Sequence, residues 1–510
     1  MYKNVLSKHF VGDIITNVCF KIGVIIIQNM DYVVHDNVFT RIEIEQIFND
    51  CEGKTLGMLD RANVFAKALA NPKITGIAGD VVEQSILGMK ANSKQEPDLV
   101  IDGTLTELKT TGLRLKDDHY EPKEPVSITA VSIDKIVNED DFHESLLWHK
   151  LCRILFIYYH YNSKVTVKAL GYKEFEVLSH QFYEPSALDR ARYESDWTIV
   201  RNFLQKAKAS ADPEAQYPLL STNINPELVV LDTAPKYPHP PRFRIKRAYF
   251  ASIVKRHFDS KAKLETLDDE YVSYKELDNK LHDMQIFYKD KSVGEMVIDL
   301  EITSKKVTKQ ISEQIIVRMF GGKSKKLSKV ELFDSFGITG YSIALSIDGK
   351  RTEDTKMCPI DFDEVMEDKP FEESDFYKYY HDNTFLFFIL QETQKASSKK
   401  GEEVKIEFVK NKFLGFKRIH FSDDFIYENV KPVWEKIRYL ISSKTLREEQ
   451  GPRGKAPNFP KSSEGTIFVR GTGTDIYDKP LNINGIQMYR QNLWIRGEDL
   501  VNMLGEKDFI

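Results

Sequence analysis

Two apolar runs constrain this chain more than any other feature: Ile154-Leu-Phe-Ile-Tyr-Tyr159 and Phe385-Leu-Phe-Phe-Ile-Leu390. A six-residue run with no polar break, rich in aromatic and β-branched side chains, suits a strand covered on both faces. Such strands need cover on both faces. The two runs are echoes of one another, and their surroundings echo too. Trp197-Thr-Ile-Val-Arg201 has a counterpart in Trp434-Glu-Lys-Ile-Arg438, and FRIKRAYFASIV in LWIRGEDLVNML. The three pairs occur in the same order, offset by about 231 to 250 residues, which predicts a duplicated domain. A chain of 510 residues has room for two.

Composition removes several classes. Lys and Arg number 72 against 77 Asp and Glu, a net charge of −5, which argues against a histone-like polycation but not against a local basic groove. Cys19, Cys51, Cys152 and Cys358 lie far apart without a C-x-x-C pair, so a reduced cytoplasmic protein is expected, not a disulfide or zinc scaffold. The longest apolar candidate, Ile14 to Ile27, contains Asn17 and Lys21 and falls short of a membrane span. Residues 1–38 read as an N-terminal extension, and the segment before Met30 as an annexe or an upstream start.

Helical periodicity runs from Phe39 to Leu69 with a break at Gly53, and again from Gly79 to Leu87. The polar segment KANSKQEPD leads into strands at Leu99–Ile101 and Leu105–Leu108, turned by Asp102-Gly103. Strands are expected at 126–131 and 153–160, a helix from Ala187 to Lys206, then a short strand FRIK and the helix AYFASIVKRHF. The charged stretch 261–285 reads as a connector between units at 39–260 and 286–510, helical pattern resumes from Glu295 past Ile315, and 321–329 and 450–465 read as solvated loops.

The chemistry-bearing pattern is Pro97-Asp98, then Glu107-Leu108-Lys109 on the second strand of that hairpin. Side chains two apart on a strand share a face, so Glu107 and Lys109 point the same way, and Asp98 can approach across the turn. Converging carboxylates make a hard oxygen site suited to Mg²⁺, and a lysine beside it can orient water or stabilise phosphate charge. The pattern alone also describes an ordinary solvated strand, and Glu83, on the preceding helix, an ordinary surface carboxylate.

Taken together, GIAGDVVEQSILGMKANSKQEPDLVIDGTLTELKTTGLR resembles the active-site block of MutH-type endonucleases. TLGML at 55–59, LWHKL at 147–151 and PRFRIKRAYFASIVKRHF at 241–258 resemble further blocks of the same family, in order. The resemblance implies a restriction-endonuclease-like fold, with Glu83, Asp98 and Glu107 as metal-binding carboxylates and Lys109 as the catalytic lysine. It also implies Lys150 as a second lysine in the active site, and Arg244 and Lys246 near DNA. The doubled length resembles the type II restriction endonucleases that cut at GATC. That branch implies an α/β fold of two tandem restriction-endonuclease-like (MutH-like) domains, each a mixed sheet flanked by helices, the second lacking the catalytic motif. Aligning the halves puts Tyr341-Ser-Ile-Ala344 where Thr106-Glu-Leu-Lys109 stands, which replaces the glutamate and lysine by Ser342 and Ala344. In the second half Arg470, Trp494 and Arg496 are the expected DNA groups, with a turn-flanking arginine and a core tryptophan as the plain alternatives.

The function these implications add up to is Mg²⁺-dependent, site-specific double-strand cleavage leaving 5′-phosphates. Its partners would be double-stranded DNA, two copies of the site, a second chain on the DNA, and a cognate DNA methyltransferase in the same system. The rivals are a nicking mismatch-repair endonuclease and a DNA-binding regulator with an inactive nuclease fold.

Overall fold

The computed structural model describes residues 37–90, 96–259, 264–304, 307–351, 353–393, 407–451, 454–505 and 508–510. Almost all of the expected N-terminal extension, including Ile14–Ile27 and Cys19, and part of the KANSKQEPD segment lie outside the described residues. Among the described residues no helix is long and apolar enough to cross a membrane.

Local sequence accounts for the first elements. Thr40 and Glu43 form a capping box that starts helix Arg41–Cys51, and Gly53, at φ +73°, ends it where only glycine is relaxed. Helices Leu56–Leu59 and Phe65–Ala70 follow. Strand β1 is Val38–Phe39, β2 Leu99–Ile101 and β3 Thr104–Lys116. Asp102 and Gly103, both at positive φ, turn β2 into β3. β3 runs eight residues further than its apolar pattern suggested and also pairs with β4, His119–Pro122. Then come β5 (Val126–Ala130), β6 (Ile154–His160), β7 (Val177–Tyr183), helix Ala187–Lys208, β8 (Leu231–Asp232), β9 (Arg242–Ile245) and helix Arg247–Phe258. The main sheet has the order β1-β2-β3-β6-β7, with β3 parallel to β6 and β6 antiparallel to β7. A smaller sheet has the order β5-β9-β8.

The second half repeats part of this. Its strands are β10 (Ile338–Leu345), β11 (Thr355–Pro359), β12 (Thr384–Gln391), β13 (Lys412–Ile419), β14 (Glu448–Gly451), β15 (Gly454–Pro457), β16 (Ile467–Thr472), β17 (Leu481–Ile483), β18 (Ile486–Met488) and β19 (Arg490–Ile495). β10 is parallel to β12 and β12 antiparallel to β13, as for β3, β6 and β7. β11-β19-β16 has the order and antiparallel sense of β5-β9-β8. Arg201 lies 5.6 Å from the Trp197 ring and Arg438 4.6 Å from the Trp434 ring, and each guanidinium binds backbone carbonyls of the segment before the central strand. A fourth echo, Phe142-His-Glu-Ser145 against Phe371-Glu-Glu-Ser374, escaped the sequence reading. Both serines cap the helix that leads into the central strand.

Register corrects one alignment. Glu107 pairs with Ile154 and Lys109 with Phe156, while Thr339 pairs with Phe385 and Tyr341 with Phe387. Ile154 and Phe156 pack on the face that holds Trp197, and Phe385 and Phe387 on the face that holds Trp434. The second-half counterparts of Glu107 and Lys109 are therefore Thr339 and Tyr341, not Ser342 and Ala344. Those two lie three residues away, on the opposite face, because a one-residue slip along a strand exchanges its faces. A second omission matters more. Helices Ile311–Met319 and Glu331–Ser335 precede β10 among the described residues, where a β2-like hairpin precedes the corresponding part of β3.

Within the stretch read as a connector, helix Tyr274–Tyr288 begins and buries Tyr274, Leu277, Leu281 and Met284. Their three- and four-residue spacing makes an apolar stripe that the overall charge concealed. The helical stretch from Glu295 is two helices, Val293–Asp299 and Ile311–Met319. Part of the 450–465 loop is the ribbon β14–β15. The largest apolar core is common to both halves: Phe156 and Phe250 share it with Ile315, Phe333, Leu386 and Phe388. A second core lies behind Trp434, and a third packs Phe48, Leu56 and Val81 on Leu155 and Ile157.

Candidate active site

Hairpin β2–β3 sets the geometry. Leu99 pairs with Thr106, so one step outward Asp98 stands across from Glu107. Asp98 Oδ2 accepts from the Leu108 backbone N–H at 3.1 Å, which ties the carboxylate to the strand between Glu107 and Lys109. Glu107 is buried, 1% exposed, and a charge there needs partners. It has two. Lys109 Nζ lies 2.6 Å from Oε1, and Lys150 Nζ lies 3.0 Å from Oε1 and 2.8 Å from Oε2. Lys150 sits on helix Leu146–Leu151, capped by Ser145, and also donates to the Glu96 carbonyl at 3.4 Å.

Glu83 enters from the third side. Helix Ile77–Asp80 continues as a π-turn over Val81–Ile86, whose extra residue per turn changes the direction of the side chains. Ser85 in this turn donates to Asp60 Oδ1 at 2.6 Å and accepts from the Ala62 N–H at 3.1 Å, while Asp60 also caps helix Phe65–Ala70 through the N–H groups of Val64 and Phe65. Neither Asp60 nor Ser85 was singled out from sequence, and no local pattern marks them, since their partnership spans 25 residues of chain. Burial, and then Asp98, Asp80 and Glu107, push the Glu83 carboxyl up to about 7, with Lys109 opposing.

The structure thus brings Asp98, Glu107, Lys109 and Lys150 together and sets Glu83 within their field. Among the described residues no group of three His, Cys, Asp or Glu side chains stands ready as an ion cage. Glu107 is closed by two ammonium groups. The donor set fits a hard divalent cation in kind, because it offers carboxylate oxygens; burial first, and then the neighbouring carboxylates, raise Glu83.

The expected DNA groups are separate from this centre. Arg244 makes a two-bond ion pair with Asp232, Nε to Oδ1 at 2.6 Å and the second at 3.1 Å. Lys246 donates to the carbonyls of Asn225 and Leu228, and burial lowers its ammonium pKa despite Asp196 nearby. Both charges are engaged within the fold. Arg470 binds Asp354 at 2.5 Å and lies 5.0 Å from the Trp494 ring, whose Nε1 donates to the Arg470 carbonyl. Trp494 is half-buried on the face of β19 opposite Leu493 and Ile495, so it is not a core tryptophan. Arg496 is paired with Asp499 at 2.7 and 2.6 Å.

A family model described as MutH, DNA mismatch repair enzyme MutH, matches residues 87–190. That span holds Asp98, Glu107, Lys109 and Lys150, and leaves out Glu83, β9 and the whole second half. No curated protein matches the chain. Over the matched residues the chain is similar to a MutH-like endonuclease, in a mixed α/β fold consistent with the restriction-endonuclease-like class, and a nuclease that acts on DNA is the function this similarity supports.

Proposed function

We propose that this protein is a type II restriction endonuclease that makes Mg²⁺-dependent, site-specific double-strand cuts in DNA, with GATC as its site. It consists of two tandem MutH-like domains, over residues 39–260 and 286–510, and the second binds DNA without cutting. The single observation that carries the reading is Glu107 held between Lys109 and Lys150, across the hairpin from Asp98, inside the span that matches the family model.

Asp98 and Glu107, with Glu83, would hold the Mg²⁺ ion, which when bound supplies charge neutralisation at the phosphate and a more acidic water. Lys150 Nζ, bonded to both oxygens of Glu107, would keep that carboxylate oriented. Lys109 Nζ, on the same face of β3, is the group that would orient the attacking water by hydrogen bonding. The water displaces the 3′ oxygen and leaves a 5′-phosphate. The similar strand pairing, without a β2-like hairpin beside β10 among the described residues, supports one cutting centre per chain. A palindromic site then requires two chains on the DNA or two successive nicks, and a cognate methyltransferase would protect host DNA in the cytoplasm.

Digestion of a sequenced plasmid, with and without Mg²⁺, tests this directly. Linear fragments with 5′-phosphate ends at GATC are the expected result. Open-circular product alone would favour a nicking repair enzyme, and binding without cleavage a DNA-binding regulator.

A further inference from the structure

Where β3 carries the acidic centre in the first half, β10 borders a cleft of about 520 Å³ in the second. It opens between the start of helix Ile311–Met319 and strands β10 and β11, and its lining includes Lys309, Gln310, Ser312, Tyr341 and Lys356. Tyr341 is the register counterpart of Lys109. The cleft therefore occupies the position, relative to the central strand, at which the first half gathers Glu107 and Lys109.

Its chemistry is that of an anion site. Lys356 is exposed and has no ion-pair partner among the described residues, and Lys309 pairs with Glu353 at the surface. Ser312, a lining residue, is 3% exposed, and its buried Oγ has no hydrogen-bond partner. A buried hydroxyl without a partner costs free energy that a ligand oxygen would recover. The positive end of helix Ile311–Met319 points the same way. One carboxylate, Glu313, also lines the cleft, but its Oε2 accepts from the Leu327 N–H at 3.2 Å. Glu353, the partner of Lys309, is a second carboxylate at the rim and is likewise engaged, so among the described residues Lys356 is the ammonium group of the cleft that no carboxylate pairs with. The cleft also opens onto the proposed DNA face, because Lys356 pairs in register with Trp494, against which Arg470 stacks.

We propose that this cleft is a phosphodiester subsite, in which Lys309, Lys356 and Ser312 hold one or two backbone phosphates of duplex DNA at the place of the absent catalytic centre. The inference rests on the nuclease reading above and adds the residues by which the second half grips DNA.

The test is the salt dependence of binding. Full-length protein is titrated by fluorescence anisotropy with a GATC-containing duplex, in Ca²⁺ in place of Mg²⁺, across a range of KCl concentrations. Each phosphate contact contributes about 0.9 to the slope of log K against log salt, so Lys356→Ala and Lys309→Ala should each flatten the slope by about that much and the double variant by about 1.8. Lys280→Ala, whose lysine pairs with Asp269 on helix Tyr274–Tyr288, should leave it unchanged. Ser312→Ala should weaken binding at every salt concentration without changing the slope, since no charge is removed. Unchanged slopes in both cleft-lysine variants, with wild-type melting temperatures, overturn the subsite. A thermal shift with inorganic phosphate separates the two sources of the anion: stabilisation that Lys356→Ala abolishes, with the DNA slope unmoved, would mean a free-anion site and also overturn the proposal. If wild-type protein neither binds the duplex nor cleaves plasmid, it is the nuclease reading that fails. If it cleaves while the slopes stay fixed, only the subsite does.

Discussion

Glu107 and Thr339 stand at the same register position of two similarly paired strands, and their surroundings differ in kind. Around Glu107 the strand pair is extended by a hairpin that delivers Asp98, a π-turn that delivers Glu83, and a helix that delivers Lys150. Around Thr339 there are helices in place of the hairpin, and where Lys109 and Lys150 converge the second half has Tyr341 and Tyr379, whose hydroxyls bond to each other and to the Met357 carbonyl. The first arrangement draws charged groups into a buried site, and burial first, then the neighbouring carboxylates, raise the Glu83 carboxyl. The second satisfies itself with neutral hydroxyls. Among the described residues, what separates the two surroundings is a hairpin beside β3 and helices before β10.

The largest effect expected is on cleavage. Lys109→Ala should reduce the cutting rate by about 10²- to 10⁴-fold while duplex binding in Ca²⁺ is retained, because one positioned proton-handling or charge-stabilising group is lost. Building Thr339→Glu and Tyr341→Lys into that variant should restore no cleavage, since among the described residues no strand pairs with β10 where β2 pairs with β3. Recovery of cutting would break the comparison at its root.

A second contrast concerns stability. Asp196 is fully buried, accepts from the backbone N–H groups of Val229, Val230 and Leu231, and faces Lys246. At the matching position before Trp434 the second half has Val433. Asp196→Ala leaves three N–H groups without an acceptor and takes a carboxylate charge away from the buried Lys246, and should cost about 2–4 kcal/mol in denaturant unfolding. Val433→Ala removes only apolar volume and should cost about 1–2 kcal/mol. Equal losses would show that the Asp196 network is not the tie it looks to be.

The Glu83 carboxyl provides a pH test. Its folded pKa, about 7, lies above the ordinary 4.5. Between those values the folded state binds more protons than the unfolded, so stability falls as pH rises, and above the folded value the penalty is complete. In metal-free protein Glu83→Gln should therefore add about 1–3 kcal/mol near pH 8, with solvent screening favouring the lower end, and almost nothing near pH 4. A gain that persists at the acid end would assign the effect to packing. The smallest change is expected from Tyr379→Phe, which removes one hydroxyl from the neutral pair: about 1 kcal/mol of stability by thermal melting, with plasmid cleavage within about twofold of wild type.

Local sequence accounts for much of this molecule. The apolar run 154–159, the Asp102-Gly103 turn and the Glu107-Leu-Lys109 alternation predicted the central strand, the hairpin and a shared face for two charged groups, and all three depend on neighbours in the chain. The two central strands were legible because each apolar run is local, and both pair in the same senses with their neighbours. The register of β10 was not, since it is set by its pairing with β12, which no local pattern within β10 records. Only tertiary structure decided that Lys150 closes on Glu107 across 43 residues, that Ser85 and Asp60 brace the turn bearing Glu83, and that Arg244 and Lys246 are spent on internal partners. The physical reason is range: hydrophobic period and turn chemistry act within a few residues, whereas a buried charge is satisfied by whichever group the packed elements bring within about 3 Å, and no spacing along the chain records that distance.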